Sequence, residues 1–168
     1  MNKRFVKRLL VFFTVLCMTM AMTVPALAAG SGTNATTDDP ANGILQVMLA
    51  YVDDGGNRTY FSAGTCFMVN EEYVVTNKHV FDLDTTDSDG VTLRETIVET
   101  MGLKSLKTND THLKLYVFAN RDTNVEATVD ANAQSDELDF AALKLSRKIS
   151  GRQSLVLGDS DSIKPQDT

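Results

Sequence analysis

Few side chains in this 168-residue sequence can move protons or attack a carbon at neutral pH: the histidines His79 and His112, the cysteines Cys17 and Cys66, and clustered acids. A neutral imidazole can take a proton from a hydroxyl and later return it to a leaving group. A carboxylate on its other nitrogen fixes the tautomer and stabilises the imidazolium. His79 follows an apolar, β-prone stretch, Tyr73-Val74-Val75-Thr76, and two acids within one turn, Asp136 and Asp139, occur downstream in Ser135-Asp136-Glu137-Leu138-Asp139. His112 has no such context and is expected at the surface. The histidines are far apart, with no second cysteine near Cys66, so no zinc pattern is present, and neither a metal nor a cofactor is expected.

The elements that must position these residues read as strands. Ile44 to Val52 is apolar and β-prone, and Asp53-Asp54-Gly55-Gly56-Asn57 is a hairpin turn. Tyr60 to Val69, a turn at Glu71-Glu72, and Tyr73 to Thr76 form a second hairpin. Strands resume at Leu113 to Ala119, Val125 to Val129 and Phe140 to Leu145. Between them lies an acidic loop and one short helix, Thr92 to Met101, with Leu93, Ile97 and Met101 on one face and Gly102 as its stop. Short strands separated by turns predict an all-β fold, an antiparallel barrel or sandwich.

The chain carries 16 basic and 22 acidic residues, a net charge of −6. Without a basic surplus there is no electrostatic footprint for nucleic acid. At 43% hydrophobic residues and three prolines, the composition is that of a folded domain and excludes collagenous and low-complexity classes. The cations Lys3, Arg4, Lys7 and Arg8 precede the uncharged run Leu9 to Met22, and Ala26-Leu27-Ala28 offers a cleavage site. Residues 1–28 therefore read as an export signal, with membrane anchoring only if it stays uncleaved. Residues 29–42 read as a flexible leader and 43–168 as the domain, placed outside the cytoplasm. Cys17 leaves with the signal, so Cys66 is the single thiol of the mature domain and no internal disulfide is expected.

Three segments resemble one family. Gly64-Thr65-Cys66-Phe67-Met68-Val69 followed by Tyr73-Val74-Val75-Thr76-Asn77-Lys78-His79-Val80 resembles the histidine segment of trypsin-like serine proteases, and its T-N-x-H-V form is most similar to the bacterial HtrA/Deg branch. Glu137-Leu138-Asp139-Phe140-Ala141-Ala142-Leu143-Lys144-Leu145 resembles the aspartate segment. Leu157-Gly158-Asp159-Ser160-Asp161-Ser162 resembles the run that crosses to the family's second barrel. The resemblance implies the first antiparallel barrel of a double-barrel protease, with one short inserted helix, His79 as general base and Asp139 as the buried acid that orients it. Asp136 is the alternative acid. Cys66 falls on a strand position, so a buried small thiol is expected there and not a nucleophile.

The implied activity is that of an exported serine endopeptidase acting by acyl transfer on protein or peptide substrates. The family's nucleophile motif, G-[ND]-S-G-G, does not occur in these 168 residues, and Ser160 lacks the flanking glycines. Two barrels need roughly 200 residues, so the sequence is expected to hold one barrel, to be inactive without its second, and to self-associate through the apolar wall the second would cover. The alternatives are a pseudo-protease without turnover and an exported β-barrel binding module. Residues 82–112 lengthen the path from His79 to Asp139 beyond the compact HtrA arrangement. They read as a surface ornament, with a cleft border as the alternative.

Overall fold

The computed structural model describes residues 40–156 and residue 158. The signal segment, most of the leader and Ser160 lie outside the described residues. A 3-10 turn, Pro40–Gly43, closes the leader. Six strands follow: β1 (Ile44–Val52), β2 (Arg58–Met68), β3 (Tyr73–Thr76), β4 (Leu113–Phe118), β5 (Asn124–Ser135) and β6 (Phe140–Leu145). One helix, α1 (Leu93–Met101), lies between β3 and β4. All pairings are antiparallel, and the strands close in the order β1-β2-β3-β6-β5-β4. The all-β barrel with one inserted helix is the fold expected.

The pattern of β1 explains the closure. Side chains alternate across a strand, and Leu45, Val47, Leu49 and Tyr51 are buried while Ile44 and Gln46 are exposed. A register shift at Leu49/Ala50 bends the strand, and Ala50 is buried as well. A bulge of this kind increases local twist, which a small closed barrel requires. The β1–β2 turn is set by Asp53, whose Oδ1 accepts the Asn57 N–H at 2.8 Å, and by Gly56 at φ 80°. A side chain at that φ would be strained.

In the closed order, β3 and β4 lie on opposite sides of the barrel, and both meet the end that carries the turn at 53–57. The chain from β3 to β4 therefore crosses the barrel mouth. Its apolar residues Leu83, Ile97 and Leu106 join the core, Ile97 with no exposure at all. The surface-ornament reading of 82–112 is thus corrected: this segment, the plug, packs Leu83, Ile97 and Leu106 against the barrel core. Sequence gave no sign of it, because antiparallel closure decides which strands are opposite.

The plug is internally fastened. Thr92 caps α1 in a capping box, its hydroxyl accepting the Glu95 N–H while the Glu95 carboxylate accepts the Thr92 N–H. Gly102, at φ 65°, ends the helix. The Arg94 guanidinium donates to Asp84 Oδ1, to the Leu106 carbonyl at 2.6 Å and to Thr108 Oγ1. One cation thereby ties the acidic loop, the helix and the return segment together.

Candidate active site

β3 ends at Thr76, whose hydroxyl donates to the Thr65 carbonyl on β2 at 2.8 Å. The chain then makes a 3-10 turn, Lys78–Val80, which lifts His79 out of the sheet while burying Val80. Val80 packs against Gly64 of β2 so closely that a Cβ there would lie 2.5 Å from a valine methyl. Gly64 is therefore what lets the histidine turn sit down on the barrel. Opposite, β5 and β6 are joined by the turn Asp136–Asp139, closed by the Asp139 N–H donating to the Asp136 carbonyl at 3.2 Å.

These two turns bring the expected pair together. His79 Nδ1 lies 2.6 Å from Asp139 Oδ2, and the His79 backbone N–H donates to Oδ1 at 2.8 Å. The Asn77 side-chain amide donates to Oδ2 and to the Asp139 carbonyl, both at 3.1 Å, and the Lys78 N–H donates to that carbonyl at 3.3 Å. Asp139 itself takes a left-handed backbone, φ 45°, which is uncommon outside glycine. The two hydrogen bonds from His79, backbone first, hold its carboxyl below the usual carboxylate range, with help from the imidazole's charge and from Asn77.

The tautomer follows from this geometry. A carboxylate accepts only, so Nδ1 carries the proton and Nε2 of the neutral ring is left with a lone pair. No partner reaches Nε2 among the described residues, and the imidazole is 58% exposed. The acid is not buried as expected: the Asp139 side chain is 41% exposed, because the two turns that carry the pair lie on the rim and not within the barrel.

Asp136 does not share the imidazole. It is 82% exposed and pairs with Lys78, so its charge clamps the two turns to each other. Next to this clamp runs a groove of about 700 Å³, with Leu49, Leu115 and Ala127 among its lining and Lys78, Asp82 and Asp136 at its edge. Cys66 faces the core, fully buried, and burial pushes its thiol up to about 12. A thiol in that state does not ionise at neutral pH and is no nucleophile.

His112 departs from its expected exposure. Its side chain is only 36% exposed, stacked on Tyr51 at 5.2 Å, with Nδ1 2.8 Å from Asp110 and Nε2 3.2 Å from Asp54. Among the described residues no group of histidine, cysteine and acids could hold a metal ion. Sequence reasoning missed the parts played by Asn77 and Gly64. Their one signal was a place in the quoted motif, since neither titrates.

A family model described as a trypsin-like peptidase domain matches residues 64–168, more than half of the chain. The chain belongs to this trypsin-like peptidase family. The match begins at Gly64, the glycine that seats the histidine turn, and takes in both His79 and Asp139. A solved structure titled as that of Deg5 is similar to the chain with a TM-score of 0.41 and 15% identity, covering 76% of this chain and 47% of that one. The peptidase-like chain thus spans about half the length of that structure. No curated protein matches it in sequence.

Proposed function

We propose that this chain is the histidine- and aspartate-bearing half of an exported serine endopeptidase. His79 acts as general base through Nε2 and then, as imidazolium, gives the proton to the leaving amine. Asp139 holds the ring in the Nδ1–H tautomer and stabilises the cation. The serine and the oxyanion-hole amides come from a second barrel encoded beyond residue 168, packed over the rim where the pair stands. Leu138, beside Asp139 and 75% exposed, is an apolar contact for that barrel. Without it the 168 residues bind no acyl group, are inactive, and expose a wall that favours self-association. Substrates are proteins or peptides. The segment 1–28 directs export and is removed after Ala28.

The observation that carries this reading is the 2.6 Å contact of His79 Nδ1 with Asp139 while Nε2 faces outward. The test is to sequence the reading frame past codon 168 and express all of it. A G-N-S-G-G-like run is expected there, with peptide hydrolysis and fluorophosphonate labelling of its serine. The 168-residue chain alone should not label. Labelling of Ser160, mapped by mass spectrometry, would show that the assignment of segments is wrong. A secreted product beginning at Ala29 is the expected result of N-terminal sequencing.

A further inference from the structure

We propose that Asn77 is the positioning residue of the His79–Asp139 pair, clamping Asp139 at its main chain and its carboxylate at once. This rests on the reading of His79 as the base. Asn77 occupies the N-cap position of the 3-10 turn, where an asparagine ordinarily turns its side-chain oxygen onto a free backbone N–H. Here it makes no such cap. Its amide is turned instead to Asp139, one bond to the carbonyl and one to Oδ2, each 3.1 Å.

Both acceptors lack hydrogens, so the amide nitrogen and not its oxygen must face them. One planar NH2 group bridging a residue's carbonyl and its carboxylate fixes the relation between them. That relation is what the left-handed φ of Asp139 requires, and a strained backbone persists only where its surroundings over-determine it. The Lys78 N–H and the two His79 donors complete the set, so residues 77, 78 and 79 all grip Asp139. Of these bonds, only those from Asn77 hold the backbone and the carboxylate through one side chain. Its contribution to the lowered carboxyl of Asp139 agrees with this placement.

Asn77→Ala in the complete reading frame should lower kcat by about 10- to 100-fold, the cost of a small misplacement of reacting groups, with KM within about twofold. The acidic limb of kcat/KM should move to lower pH, because a loosened carboxylate stabilises the imidazolium less. Asn77→Asp, equal in size but without donors, should lose more and move the limb to higher pH. In the 168-residue chain, carboxyl NMR should show the Asp139 titration midpoint rising in Asn77→Ala. If that variant fails to fold, Asn77→Ser, with a shorter donor, is read in the same way. A folded variant with unchanged kcat, acidic limb and Asp139 midpoint would overturn the proposal. Should the complete product show no hydrolysis even in the wild type, the protease reading fails, while the Asp139 titration still decides the role of Asn77.

Discussion

Two histidine–carboxylate pairs stand at one end of this barrel, at the two ends of the plug that crosses its mouth, and they differ at one nitrogen. His79 gives Nδ1 to Asp139 and keeps Nε2 open. His112 sets Nδ1 against Asp110 and Nε2 against Asp54, with Tyr51 stacked on the ring. Since carboxylates only accept, this arrangement asks His112 to donate from both nitrogens and so favours its cationic form, in line with the raised imidazole. In that form it has no lone pair to offer. Under the proposed function, a histidine facing an acid is a base in one place and a fastener in the other, and the occupancy of the second nitrogen decides which.

The comparison breaks most visibly at the carboxylates. In the complete reading frame, Asp139→Asn should cost about 10⁴-fold in kcat, because an amide in place of the acid favours the wrong tautomer. Asp110→Asn should leave kcat/KM within about twofold. His79→Ala and His112→Ala should divide in the same manner when assayed for peptide hydrolysis. A large loss from Asp110→Asn at unchanged stability would mean that the wrong pair has been assigned to the chemistry.

Much of this was legible in the sequence, and the limits are instructive. The β1–β2 hairpin is legible from its apolar, β-prone runs and the turn between them, and α1 from Leu93, Ile97 and Met101 with Gly102 as its stop. The β-prone run predicts a strand that ends at Val129, whereas β5 runs to Ser135. Its pairing with β6 jumps between Val129 and Gln134, and the intervening Asp130-Ala131-Asn132-Ala133 is small or polar, without the alternation that marks a half-buried strand. His79 and Asp139 were legible because their neighbours form recognisable runs. The partners of His112 were not, because Asp54 is a turn residue on another hairpin and only barrel closure brings it near. The plug stayed hidden for the same reason: its apolar residues are spaced by loops, and nothing local says what they cover.

The plug ties the two pairs into one fold, so damage to it should not discriminate between them. Ile97→Ala removes a fully buried side chain and should cost about 2–5 kcal/mol, the transfer loss plus the cavity. Denaturant unfolding of the 168-residue chain would measure it. At temperatures where the variant stays folded, hydrolysis by the complete product should be nearly normal. A loss below 1 kcal/mol would mean that the plug is not part of the cooperative core.

Gly64→Ala should discriminate in favour of His112. A Cβ at 2.5 Å from Val80 must push the histidine turn outward, because both groups are stiff. Displacement of His79 should lower kcat by roughly 10- to 100-fold, while the proton-dependent stability owed to His112 is retained. Wild-type activity in this variant would show that the turn tolerates the shift.

The smallest expected effect belongs to His112 itself and is read as pH dependence. Asp110, then Asp54, raise its imidazole above the ordinary value by hydrogen bonding. Asp110 is lowered by its two bonds from His112 and, more weakly, by Lys107. Tyr51 is kept neutral by burial and by Asp110, Asp54 and Asp53 around it. A group whose pKa is raised on folding stabilises the native state fully below its unfolded value, about 6.5 for histidine, and loses that contribution as pH climbs through the folded value. A lowered carboxyl stabilises above its unfolded value, about 3.9, and fails as pH falls through the folded one. The clasp is therefore strongest between about pH 4 and 6.5 and weakens toward alkaline pH. Asp54 is fully exposed and His112 about one-third exposed, so the effect is modest and screened by salt. Thermal unfolding of the 168-residue chain between pH 5 and 9 should fall more steeply for the wild type than for His112→Gln, whose side chain does not titrate. Parallel curves would mean that His112 is not held as a cation, and the distinction between its two occupied nitrogens and the open one of His79 would lose its physical basis.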